Sequence, residues 1–169
     1  RVAIVDPKTY RELPPDRIGE IWVRRPNVAH GYWNRPEETR QIFHAQLADT
    51  QEGPFLRTGD LGFFHEGQLF FVSRLKELIV LRGRNYYPQD IEAVVVRSHP
   101  ALSSCQGAAF SIPGDQEERL VIVHEVRGSK RRDWQAILEA IRRELAAEFC
   151  FLPYAIVLIP AGRLPRTSS

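Results

Sequence analysis

To about residue 73, apolar and polar positions alternate in short runs: VAIVDP, GEIWV, PFLRTG and QLFFV, set apart by turn clusters such as LPPDRIG and HEGQ. Runs of this length with a period of two predict β-strands. One helix is predicted over NRPEETRQIF, with Pro36 near its first position and Glu37 and Glu38 in the first turn, where the helix dipole favours acids. Strands spaced this way suggest a small barrel or folded sheet.

From about residue 75 the pattern changes. ELIVL reads as a five-residue strand, Gly83-Arg84-Asn85 as a turn, and Pro88 as the opening of a helix whose apolar positions Ile91, Val94 and Val95 follow three-four spacing up to SHP. GAAFSI, LVIVHEV and YAIVLI are nearly continuous apolar runs, as expected of strands covered by helices. Between the last two a second helix is expected, with Asp133 as N-cap and Trp134, Ile137, Leu138, Ile141 and Leu145 in one stripe. The order of strand, helix, strand, strand, helix, strand predicts a small α+β sandwich. The fold class is therefore α+β: a strand-rich unit over residues 1–73, a junction at 74–76, and a compact α+β unit over 77–169.

Composition narrows the picture only a little. A chain of 169 residues with 43% hydrophobic and 26% charged residues can bury a core, and a net charge of +2 does not by itself imply nucleic acid or an anionic membrane. Cys105 and Cys150 lack metal-ligand spacing and sit in apolar stretches, so buried free thiols are expected rather than a disulfide. No signal peptide and no membrane-length apolar run is visible, which makes the cytoplasm the default location. The chain opens on RVAIV without Met and stops at LPRTSS, so it is expected to be a piece of a longer polypeptide.

Candidate chemistry gathers around the junction. Thr58-Gly59-Asp60 follows a strand, and a glycine there permits a sharp turn exposing the next carboxylate, whose two oxygens could accept both hydroxyls of a ribose. Most such triplets merely cap their own backbone. Arg74 lies beyond a hairpin through HEGQ, which returns it toward Asp60; its planar donors suit ribose or phosphate oxygens, but an Asp60–Arg74 surface ion pair is an equally good reading. Lys76 is either a solvated edge-strand lysine or a pivot between the two units. Lys130, Arg131, Arg132, Arg142 and Arg143 read as a solvated helix face diluted by Glu139, Glu144 and Glu148. The five histidines are scattered, and no nucleophile elbow, zinc signature or phosphate-cradling loop is present.

Taken together, four stretches resemble the adenylate-forming ligase superfamily, in that family's order. GEIWVRRPNVAHGYWNRPEET resembles the last subdomain of the large N-terminal domain, FLRTGDLGFF the ribose-binding motif, and SRLKELIVLRGRNYYPQDIE the hinge motif that begins the mobile C-terminal lid. GRLPRTSS resembles the lead-in to the terminal motif that carries the catalytic lysine. GRNYYPQDIE with GQLFFVSRLKELIVLRG is most similar to the fatty acyl-AMP ligases; Ser73 stands where the family pattern often has Gly.

The resemblance implies an enzyme that activates a fatty acid with ATP and Mg2+, releasing pyrophosphate, and passes the acyl group to an acyl carrier protein or polyketide synthase carrier domain. It implies that Asp60 holds the ribose hydroxyls, Arg74 contacts the ribose and phosphate region, Lys76 is the pivot, and Gly83, Arg84 and Asn85 form the lid loop. The catalytic lysine is expected beyond Ser169, so the 169 residues alone are expected to be inactive. The rival readings are an acyl-CoA ligase and a non-catalytic ligase-like binding module.

Overall fold

A computed structural model describes residues 1–115, 117–127 and 134–165. The chain divides into two compact units, Arg1–Lys76 and Glu77–Ser169, and the class is α+β. The expected N-cap Asp133, the basic residues Lys130 to Arg132 and the last four residues of GRLPRTSS lie outside the described residues.

The first unit is an open antiparallel sheet in the order β1-β2-β3-β4, formed by Val2–Val5, Gly19–Val23, Leu56–His65 and Gln68–Arg74. The only α-helix among its described residues, α1 (Pro36–Phe43), has Pro at its start and both acids in its first turn, as expected. Strand β1 is buried on both faces, because Ala3 and Val5 join Trp22, Leu47 and Phe55 in one cluster while Ile4 is buried as well. Trp22 anchors that cluster between Tyr10 and Phe55, with ring centroids 5.7 and 6.1 Å away.

The second unit begins with a hairpin of β5 (Ile79–Leu81) and β6 (Arg84–Tyr86), followed by α2 (Pro88–Ser98), β7 (Gly107–Ile112), β8 (Arg119–Val126), α3 (Trp134–Phe149) and β9 (Ala155–Pro160). Three strands form a mixed sheet in the order β7-β8-β9, antiparallel on one side of β8 and parallel on the other. Parallel neighbours need a long crossover, and α3 supplies it. Ile91, Val94 and Val95 of α2 and Ile137, Ile141 and Leu145 of α3 pack with Leu120, Ile122 and Leu158 in a single core. Hydrophobic burial of these side chains, on the order of 2 kcal/mol each, is the main force holding the helices to the sheet.

Three expectations are corrected here. ELIVL is not a five-residue strand: Leu75–Glu77 forms a 3-10 turn and the strand is only Ile79–Leu81. Nor is Gly83-Arg84-Asn85 a turn. Arg82 and Gly83, both at positive φ, make the tight hairpin reversal, and Arg84 and Asn85 pair with Leu81 and Val80 in β6. The cysteines are not buried, since Cys105 is half-buried and Cys150 exposed, both as free thiols. Cys150 takes a left-handed conformation just past α3, its N–H bonded to the Ala146 carbonyl, which turns it out of the helix's apolar stripe.

Two polar groups inside the second unit give testable consequences. His124 is buried, with Nδ1 2.7 Å from the Glu125 carbonyl, so its ring is held in place by a donated hydrogen bond. Strand pairing sets Gly107 opposite it, where a Cβ would fall 2.2 Å from His124 Cδ2. Gly107→Ala is expected to destabilise the fold by about 1–3 kcal/mol, read as a lower denaturation midpoint at unchanged slope.

Glu92 accepts the Ala109 N–H at 2.9 Å from α2. Burial raises its carboxyl above the ordinary 4.5, outweighing that bond and the nearby His124, while Glu77 adds to the rise. Its contribution to stability is therefore complete below the ordinary value and is lost as pH rises through the higher folded-state value. Glu92→Gln keeps an acceptor for Ala109 and cannot ionise. The variant is expected to exceed the wild type in thermal midpoint at neutral pH and to lose that advantage below the ordinary carboxyl range.

Candidate functional site

Strands β3 and β4 are joined at Glu66–Gly67, and their register sets Asp60 directly opposite Arg74. Arg74 Nε lies 3.5 Å from Asp60 Oδ1, with the two side chains 56% and 35% exposed. A pair that open to water contributes at most about 1 kcal/mol, so both groups remain available to a ligand. Lys76, exposed on the 3-10 turn, borders the same cleft, a space of about 530 Å³ contained in the first unit.

The Thr58-Gly59-Asp60 triplet is not a turn after a strand but a bulge inside β3. Glu20 pairs with Leu61 and Trp22 with Arg57, which leaves three residues of β3 facing Ile21 alone. Each member has its own part in the bulge. Thr58 Oγ1 donates to the Ile21 carbonyl at 2.8 Å and accepts the Asp60 N–H at 3.0 Å. Gly59 sits at φ +73°, a conformation that a side chain strains. Its N–H donates to Glu20 Oε1 at 3.2 Å. The bulge thus turns Asp60 into the cleft while the strand continues past it.

Glu20 is the residue that the sequence reading passed over. It is 1% exposed, and its carboxylate also accepts from Arg57 Nε and the Trp22 indole N–H at 3.0 and 2.9 Å. Arg57 in turn lies over the Tyr10 and Trp22 rings. A signal existed: in GEIWV the acid shares the strand face of Trp22, so an aromatic core residue and a carboxylate had to be buried side by side. Ser73, noted for standing in a glycine position, is fully buried opposite Leu61 with an unpartnered Oγ.

Gly83, Arg84 and Asn85 belong to the other unit, at the end of hairpin β5–β6, where Glu118 accepts the Val80 N–H at 3.0 Å. Arg142 and Arg143 are exposed on α3, consistent with a solvated helix face. Among the described residues no three His, Cys, Asp or Glu side chains converge as a metal site, and no helix is long and apolar enough to cross a membrane.

The arrangement can offer a vicinal diol two carboxylate oxygens and an adjoining guanidinium, which suits the ribose end of a nucleotide. Comparison with known proteins places the chain among its relatives. The chain is 52% identical over all its length to JamA of Moorena producens, a medium-chain-fatty-acid–[acyl-carrier-protein] ligase, and covers 29% of that protein. It is 40% identical over 99% of its length to FadD26 of Mycobacterium tuberculosis, a long-chain-fatty-acid–AMP ligase, covering 30% of it. Among solved structures, ATP-bound MatB of Rhodopseudomonas palustris superposes with a TM-score of 0.77 at 28% identity, over 99% of this chain and 31% of that one. One of the fatty acyl-adenylate ligases of E. coli and L. pneumophila gives 0.74 at 29% identity, over 98% and 28%. No protein-family model matches the chain.

The chain belongs to the adenylate-forming superfamily. Within it, the curated relatives above are fatty-acid ligases, and the chain spans about 30% of their length.

Proposed function

We propose that the chain is the C-terminal portion of a fatty acyl-AMP ligase, comprising the end of the large adenylation domain, a hinge at 74–76 and most of the lid. The observation that carries this reading is the cleft in which Asp60, Arg74 and Lys76 converge, in a sequence 52% identical to an acyl-carrier-protein ligase. In this reading Asp60 accepts both ribose hydroxyls of ATP and of the acyl adenylate. Arg74 donates to the ribose ring and the α-phosphate side, and Glu20 holds the bulge that aims Asp60. The fatty acid carboxylate attacks the α-phosphorus, the bond to pyrophosphate breaks, and the acyl adenylate stays bound through these contacts.

Attack brings two anions together, and cationic groups must offset that repulsion. Mg2+ carried with the triphosphate would supply part of that offset. A lysine following the Gly162–Ser169 stretch would supply another part. Rotation about Lys76 would then withdraw that lysine and admit the thiol of a carrier protein to the acyl carbonyl. Gly83, Arg84 and Asn85 would shape the lid face that is presented in the second pose.

A second reading, transfer to coenzyme A, is favoured by relatives 43% identical that carry a fatty-acid–CoA ligase name, one of them in Mycobacterium leprae. A single experiment separates the two: the full-length protein, given ATP and a fatty acid, is offered coenzyme A and phosphopantetheinylated carrier protein in parallel. Acylated carrier protein, with release of AMP, is the expected product. Robust acyl-CoA would overturn the choice of acceptor, and no adenylate with either thiol would favour a non-catalytic binding module.

A further inference from the structure

Glu125 is a second buried acid that the reaction outlined above does not use. It is 4% exposed in β8, and alternation along the strand places it on the face away from Leu120, Ile122 and Val126, which join the helices' core. Its own N–H is bonded to the Gln106 carbonyl at 2.8 Å. Beyond β9, which is in register with β8 as far as Val126 and Pro160, the chain turns at Gly162 with φ +77°. The turn brings the Leu164 N–H to Glu125 Oε1 at 2.9 Å. The N–H of Leu164 foremost, then those of Gly162 and Arg163, hold the Glu125 carboxyl below its ordinary value, despite the opposing effect of burial. The hydrogen bond from the Leu164 N–H thus ties a buried carboxylate of β8 to the turn that follows β9.

We infer that Glu125 is a positioning residue, fastening Gly162–Leu164 to β8 and so fixing the direction in which the chain leaves the sheet. A surface turn could have left these amides to water. Here a buried charge is spent on them, and the segment concerned is the one that leads toward the terminal residues. The functional half of this inference rests on the ligase reading, in which a lysine beyond that segment acts in adenylation only. Glu125 then touches no substrate and works through the path of the backbone.

The test has two arms. In the 169-residue chain, Glu125→Gln is expected to speed amide exchange at Gly162 and Leu164 by about tenfold or more while the β7–β8 amides keep their protection. In the full-length protein the same variant is expected to lower kcat for adenylate formation by about 10- to 100-fold with KM for ATP unchanged, and to leave transfer from supplied acyl adenylate intact. Glu125→Asp keeps the charge on a shorter stem. It is expected to restore part of both losses, and it covers the case in which the amide variant fails to fold.

Unchanged exchange at Gly162 and Leu164 would overturn the fastening. Faster exchange with unaltered kcat, or an equal fall in adenylation and transfer, would overturn the positioning role. A wild-type protein that makes no acyl adenylate would instead sink the ligase reading, while the exchange arm would still judge the fastening.

Discussion

Asp60→Ala in the full-length protein is expected to lower kcat/KM for ATP in acyl-adenylate formation by about 10²- to 10³-fold. The estimate follows from two charge-assisted hydrogen bonds to ribose, each contributing about 1.5–3 kcal/mol, part of which water recovers in the free enzyme. The exposed partner Arg74 adds little to the stability of the fold, so the denaturation midpoint should stay close to that of the wild type. Asp60→Asn, with one acceptor oxygen left, should fall between the two. Pyrophosphate exchange measured across ATP concentrations reads the effect. A change below threefold would show that Asp60 is only a backbone-capping residue of the bulge.

Glu20→Ala should act first on stability. Removing the carboxylate leaves the half-buried Arg57 guanidinium, the Trp22 indole N–H and the Gly59 N–H without their acceptor. Breaking a buried charge pair in this way costs roughly 3–5 kcal/mol. Amide exchange along β2 and β3 should rise together, with the Gly59 and Asp60 amides rising most because the bulge depends on the same carboxylate. Glu20→Gln retains an oxygen for one or two donors and is expected to lose less. If alanine lowers stability by under about 1 kcal/mol, Glu20 is not the keystone of the bulge, and Asp60 must be aimed by Thr58 alone.

These two acids also mark how far the sequence could be read. Asp60 and Arg74 were visible because the HEGQ signal announces a hairpin, and hairpin geometry brings its two ends together whatever their side chains are. Helices α1 and α2 were visible because proline at a first helical position and three-four spacing are local signals. Glu20 is legible only as an acid on the strand face of Trp22; its part in the bulge comes from Arg57 and Gly59, residues on another strand that only the register brings to it. The same holds for Glu125, whose carboxylate finds its partner, the Leu164 N–H, well downstream.

Short elements escaped for a different reason. A three-residue strand such as β5 or β6 holds too few positions to show a period, and a 3-10 turn at Leu75–Glu77 is indistinguishable in composition from the start of a strand. At Thr58–Asp60 the glycine signal is common to a turn and a bulge; what keeps β3 going beyond it is the pairing of Leu61 to His65 with β4, a non-local fact. Apolar neighbours are no guide to the burial of the cysteines, since Cys150 is turned outward by its left-handed backbone.

The parallel pairing of β8 with β9 also governs when the second unit can take shape during synthesis. Antiparallel β7 and β8 can zip together as soon as both have left the ribosome, but β9 lies on the far side of the crossover helix. Until it emerges, one edge of β8 stays open and the core under Leu158 is unfinished. Nascent chains halted before Ala155 should therefore remain protease-sensitive throughout this unit, and the Glu125 carboxylate should still be waiting for the amides it later holds.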